Sequence, residues 1–187
     1  MKYVLSLLLS LCLSVGALAA ESDVSPEDEF DSFMIKELGG DAEAKYILGV
    51  VYYEGTDIPK NDKQALHWFQ QAADQGYSRA QYNLGIMYQN GDGTPINDKQ
   101  AFYWFLKAAR QGNALAQNKL GLKYALGKGT NQNFVYSYVW HSLSKANGDQ
   151  TANLGLDLAK KVMTSSQIQQ AQALASACFT SNYLDCP

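Results

Sequence analysis

Ala80-Gln-Tyr-Asn-Leu84-Gly-Ile-Met-Tyr88-Gln-Asn-Gly91-Asp-Gly93, running on to Asn97-Asp-Lys-Gln-Ala101-Phe-Tyr-Trp104-Phe-Leu-Lys-Ala108-Ala109-Arg-Gln-Gly112, decides how this chain is read, because its pattern occurs three times. A shift of 36 residues superimposes Gly49, Gly85 and Gly121, and likewise Trp68, Trp104 and Trp140. Leu48/Leu84/Leu120, Tyr52/Tyr88/Tyr124, Gly55/Gly91/Gly127 and Gly76/Gly112/Gly148 follow the same period, and Asn61-Asp-Lys-Gln-Ala65 recurs verbatim from Asn97 to Ala101. Such a period marks stacked supersecondary units, none of which can bury its apolar face alone. The units run over 41–76, 77–112 and 113–148.

Each unit reads as two helices. In the first, Ala44, Leu48 and Tyr52 and their equivalents form a stripe at i, i+4, i+8. Glycine at position 49 costs a helix about 1 kcal/mol relative to alanine, so its recurrence predicts close backbone approach to the second helix. The first helix ends at Gly55, Gly91 and Gly127. The second is expected to open at Asp62 and Asp98, whose carboxylates could accept from the first-turn amides. It continues through Ala65, Trp68, Phe69, Ala72 and Ala73 to a left-handed glycine at Gly76. The third unit drifts, with Phe134 for the aspartate and Ser137, Ser144 and Lys145 for alanines.

Outside the repeats, Ser25-Pro26-Glu27-Asp28-Glu29 has the signals of a helix start, and Phe30, Phe33, Met34 and Leu38 follow at helical spacing before Gly39-Gly40. Residues 20–40 are thus expected to form an acidic segment and a capping half-repeat. Beyond Gly148, residues 149–163 are expected to form a helix with Leu154 and Leu158 on one face. Thr164-Ser-Ser-Gln167 is a capping box opening another, through Ile168, Ala171, Leu174 and Ala175. These helices and the cysteine loop, within 149–187, close the C-terminal end.

Met1-Lys2, the apolar run to Leu13 and the small residues Ala17 and Ala19 read as a secretory signal over 1–19, cut after Ala19. The apolar run is too short to span a bilayer, so no stable membrane insertion is expected after cleavage, and a periplasmic or secreted location follows. Losing residues 1–19 leaves 14 basic and 18 acidic residues, nine of the acids between Glu21 and Glu43. Nucleic-acid binding needs clustered Lys and Arg, and no such cluster is present. Cys178 and Cys186, with seven residues between them, read as a disulfide in an exported chain.

The 80–112 unit resembles the Sel1-like repeat, a relative of the tetratricopeptide repeat that is longer than the latter's 34 or so residues and has a Gly-x-Gly connection between its helices. The resemblance covers 41–148, and residues 154–175 are similar to the closing helices of short exported bacterial members. It departs at Asp57, where Gly93 and Gly129 stand in the later units, and at Phe134 and Lys145. It implies an all-α, right-handed solenoid of antiparallel helix hairpins. It also implies binding of a protein or peptide partner, as an envelope adaptor or regulator or as a toxin-neutralising immunity protein, with no shared chemistry.

Ser142-Leu-Ser-Lys145 matches the Ser-x-x-Lys of serine β-lactamases and penicillin-binding enzymes, a class to which a few cysteine-rich Sel1-like proteins have been assigned. Ser-Asp-Asn and Lys-Thr-Gly do not accompany it, since Lys128-Gly-Thr130 has the wrong order. His67 and His141 occupy different repeat positions and read as partly exposed helix residues. No catalytic residue, metal ligand or cofactor is expected. The binding surface is expected in a concave groove lined by the first helices, at the positions opposite their buried stripe at roughly 100° per residue. Tyr46, Ile47, Val50 and Tyr53, then Tyr82, Asn83, Ile86 and Gln89, then Asn118, Lys119 and Leu122 would line it, with Tyr53 and Ile86 the best candidates for recognition because they do not repeat.

Overall fold

The computed structural model describes residues 30–32, 34–36, 39–56, 58–184 and 186–187. The leader over 1–19, the helix start at 25–29, Phe33, Leu38 and Asp57 lie outside these residues. Three hairpins follow one another, α1 (Ala42–Glu54) with α2 (Asp62–Asp74), α3 (Ser78–Asn90) with α4 (Asp98–Ala109), and α5 (Ala114–Leu126) with α6 (Phe134–Ala146); two further helices, α7 (Ala152–Val162) and α8 (Ser165–Thr180), both pack on α6. Each second helix also packs on the helix that follows it, α2 on α3, α4 on α5 and α6 on α7. The result is an all-α solenoid.

The glycine inside each first helix does what its recurrence predicts. A Cβ at Gly49 would run into the ring of Phe69, and one at Gly85 into that of Phe105. Both rings are fully buried, so the missing side chain is the space an aromatic residue fills. In the connections, Gly93 and Gly129 have φ of 67° and 77° and lie against the backbone of Asp62 and Asp98, at the start of the preceding repeat's second helix. That contact explains the second glycine of Gly-x-Gly: neither the left-handed backbone nor the packing leaves room for a side chain.

The second-helix caps differ from expectation. Asn61, Asn97 and Asn133, not Asp62 and Asp98, accept from the amides of Gln64 (3.2 Å), Gln100 (3.1 Å) and Tyr136 (3.0 Å). Their own amides donate to the carbonyls of Tyr52, Tyr88 and Tyr124, which ties each connection back to its first helix. Asp62 and Asp98 sit one residue later, where a carboxylate meets the positive end of the helix dipole. The asparagine cap survives in the third repeat although the aspartate is lost.

Trp104 and Trp140 are buried, whereas Trp68 is half-buried and its indole N–H donates to Asp31 Oδ2 (3.2 Å). Asp31 also accepts from Tyr52 (2.8 Å), Phe30 meets Tyr52 edge-on, and Met34 is buried. The described part of the N-terminal segment therefore caps the first repeat. A polar ladder accompanies the apolar core: the buried amides of Gln81 and Gln117 donate to the carbonyls of Ala73 and Ala109, at the end of the preceding second helix. Gln111 and Asn147 close each rung by donating to Gln81 and Gln117.

The C-terminal end is clasped. The capping box of Thr164 and Gln167 is formed, and Cys178 and Cys186 are joined with their Cα atoms 4.9 Å apart. The loop they close reaches back into the repeats. Tyr183 exchanges hydrogen bonds with Asn147 and packs at Gly112, while Arg110 donates to the carbonyl of Cys186.

Leu154 and Leu158 do share a face of α7, but it is the outer one, 69% and 54% exposed, and α7 buries Ala152, Leu156 and Ala159. Ala152 and Leu156 continue the Ala44 and Leu48 series at the 36-residue period, so α7 packs on α6 as a next first helix would, although α8 turns back onto α6 and not onto α7. His141 is 2% exposed, not partly exposed. It occupies the position of Phe69 and Phe105, and the same pocket encloses it.

Candidate functional site

Successive first helices α1, α3, α5 and α7 share one side of the stack, and the residues expected to line a binding surface divide there into two rows. Tyr46 and Tyr53 flank Gly49 and turn toward the second helix, with ring centroids 5.8 and 6.3 Å from Phe69; Tyr82 stands 5.9 Å from Phe105 in the same way. Tyr46 also meets Tyr77, and the Tyr53 hydroxyl donates to Asp92 Oδ2 (3.2 Å) in the next repeat. Burial first, and for Tyr53 the neighbouring Asp92 carboxylate, raises the Tyr46, Tyr53 and Tyr82 phenols above their ordinary range. These tyrosines join repeats to one another while keeping one edge at the surface.

The second row is the open one. Ile47 and Val50 on α1 and Asn83 and Ile86 on α3 are half-buried, as is Gln89 beside the row. On α5 the row opens further: Leu122 is 43% exposed and Leu126 60%, with Lys119 half-buried between Leu115 and Leu122. The chemistry is graded along the stack, since the row begins and ends with exposed Glu43 and Glu54 in the first repeat, carries Arg79 in the second and is leucine-rich with Lys119 in the third.

Asn118 is committed elsewhere. Its amide donates to Asp149 Oδ2 and Thr151 Oγ1, both at 2.7 Å. Asp149 also accepts from Ser144 and from the amide and hydroxyl of Thr151. Burial acts to raise this carboxyl, but the bonds from Thr151, Asn118 and Ser144 outweigh it and hold the group below its ordinary value. The network fixes the α6–α7 turn.

Sequence reasoning missed the continuation of the open row onto α7, where Leu158 and Val162 stand 36 residues beyond Leu122 and Leu126. The signal was present in the Ala152 and Leu156 register. Ser142 is half-buried on α6 and Lys145 is exposed in its last turn. Two open clefts among the described residues lie elsewhere, one lined by Asp31, Lys63, His67 and Trp68 at the N-terminal end and one by Asp98, Lys99, Gly129 and Asn131 at a repeat connection. Among the described residues no group of three His, Cys, Asp or Glu converges as a metal site would require, and no helix is long and apolar enough to cross a membrane.

Tandem helix hairpins, an intrahelical glycine under an aromatic residue and a Gly-x-Gly connection closing on the preceding repeat define a class of repeat-built α-solenoid. The Sel1 repeat model matches residues 42–77, 78–113 and 114–149. This chain belongs to the Sel1-repeat family. Its fold is similar to that of c5321, a protective antigen of uropathogenic Escherichia coli strains with an SLR fold (30% identity, TM-score 0.72); 88% of this chain matches, yet it spans only 36% of that protein. A Sel1 repeat protein from Oxalobacter formigenes is 32% identical with a TM-score of 0.61, over 68% of this chain and 97% of the other. Cysteine-rich protein B of Helicobacter pylori shares the fold at 17% identity and a TM-score of 0.54, over 65% and 93% of the two chains. No curated protein matches. Sel1-repeat proteins are in general non-enzymatic scaffolds that bind protein partners.

Proposed function

We propose that this protein is an exported scaffold that binds a protein or peptide partner along the open face of α1, α3 and α5. The observation that carries the reading is the graded row from Ile47 and Val50 through Ile86 to Leu122: apolar side chains held half-exposed on a rigid stack, with charges at intervals. Exposed apolar rows rimmed by polar groups are how protein surfaces anchor partners. The leader-like residues 1–19 and the Cys178–Cys186 disulfide support a periplasmic or secreted location. Within that compartment the role is that of an envelope adaptor or regulator, or of an immunity protein that neutralises a toxin. A neighbouring gene for a secreted phospholipase or peptidoglycan hydrolase would favour the latter.

The test is capture from an envelope extract with the tagged protein and with two variants, Tyr53→Ala/Ile86→Ala and Ile86→Glu/Leu122→Glu. A specific partner retained by the parent and lost by both variants, with unchanged circular dichroism, supports the reading. Equal retention by both variants moves the binding surface elsewhere.

A further inference from the structure

α7 carries more apolar surface than the fold uses. At roughly 100° per residue its apolar residues span an arc of about 200°, of which Ala152, Leu156 and Ala159 are buried against the stack. The remainder, Leu154, Leu158 and Val162, forms a stripe at i, i+4, i+8 that is 69%, 54% and 58% exposed. One flank of this stripe holds Asp157 and Lys161, both exposed. Asp157 is engaged only loosely, 3.8 Å from Lys160.

We propose that a second copy of this chain covers the stripe, the two chains meeting about a twofold axis through antiparallel α7 helices. In an antiparallel pair of identical helices each flank faces its own counterpart. The register that sets Leu158 beside its symmetry mate and Leu154 across from Val162 brings Asp157 of each chain toward Lys161 of the other. The stripe is therefore complementary to itself in charge, with its apolar residues meeting along the centre. An anionic lipid surface would accept Lys161 and oppose Asp157 in the same flank. An 11-residue helix is only about 16 Å long, so the contact falls at the small end of specific interfaces, below roughly 1,200 Å². The dimer is weak, with a Kd of about 10–100 μM.

Sedimentation equilibrium of the purified protein from roughly 1 to 500 μM reads this directly. The mass should rise toward twice that of the chain, and Leu158→Asp should weaken association at least tenfold with an unaltered thermal melt, since the side chain is exposed. Lys161→Glu should also weaken it, and Asp157→Lys combined with Lys161→Glu should restore it by exchanging the signs of the cross-pair. A monomer at every concentration, association indifferent to Leu158→Asp, or a charge exchange that fails to restore it overturns the proposal. So does a solution monomer that sediments with phosphatidylglycerol vesicles and loses that property in Leu158→Asp, which would make the stripe a lipid contact. Leu158 and Val162 continue the open row beyond the α1, α3 and α5 face proposed for the partner, and self-association is read on the purified chain alone, so Tyr53→Ala/Ile86→Ala should lose the partner and still dimerise, and the two proposals fail separately.

Discussion

Gly121 on α5 faces the imidazole of His141 on α6 so closely that a Cβ at 121 would lie 2.6 Å from ring atom Cε1, and Gly155 on α7 encloses the same ring from the opposite side. His141 Nδ1 is 2.8 Å from the carbonyl oxygen of Ser137, an acceptor, so Nδ1 carries the proton of the neutral ring. Charging the ring requires a second proton in a site closed by two backbones. Burial accordingly lowers the pKa of His141 below its usual 6.5, and the Ser137 carbonyl and the Asp149 carboxylate oppose this without reversing it.

The sign of the resulting pH dependence is fixed. Below pH 6.5 the unfolded chain binds a proton at this position before the folded chain does, so stability falls as pH drops from 6.5 toward the lower folded-state value. The contribution of Asp149, whose folded pKa is also lowered, is lost only below its ordinary 3.8, a separate window. His141→Phe, which restores the residue of the two earlier repeats, should flatten the urea midpoint between pH 6.5 and 5. An unchanged slope would mean that another group titrates there.

Gly85→Ala tests the helix–helix contact. The substitution gains about 1 kcal/mol of helix propensity, but the added methyl meets the ring of Phe105. Overpacking of this kind costs about 1–3 kcal/mol. A net loss of stability in a urea titration is expected, and Phe105→Leu in the same chain should recover part of it. The same substitution at an exposed helix position, where only propensity acts, should be stabilising.

Trp104→Ala should destabilise by about 3–5 kcal/mol, because the side chain is 5% exposed between the first and second repeats. Trp104→Phe should cost much less. The indole N–H of Trp104 is buried without a hydrogen-bond partner among the described residues, so phenylalanine removes a desolvated donor along with part of the ring. Thermal melts of both variants decide this.

Asn97→Ala should cost about 1 kcal/mol, the loss of a helix cap. Asp98→Asn leaves that cap in place and instead weakens the ion pair with the buried ammonium of Lys123. Raising the salt concentration should therefore shrink the deficit of Asp98→Asn, measured against the parent, and leave that of Asn97→Ala unaltered.

What the sequence determined by itself is the part of the structure that depends on neighbours at fixed spacing. Gly49 and Phe69, or Gly85 and Phe105, lie in one hairpin 20 residues apart, so repetition of the pair is repetition of the contact, and the solenoid follows from stacking hairpins that cannot stand alone. The disulfide is equally local. Tertiary structure alone decided the choices between faces. α7 is apolar on two sides, and whether Leu156 or Leu158 turns inward depends on what α6 offers it; the Ala152 and Leu156 register wins because it repeats the packing of the three earlier first helices. His141 and Asn118 are polar side chains whose surroundings come from other helices, Gly121 and Gly155 for one and Asp149 and Thr151 for the other. Burial is a property of the assembled neighbours, and no periodicity within a single helix carries it.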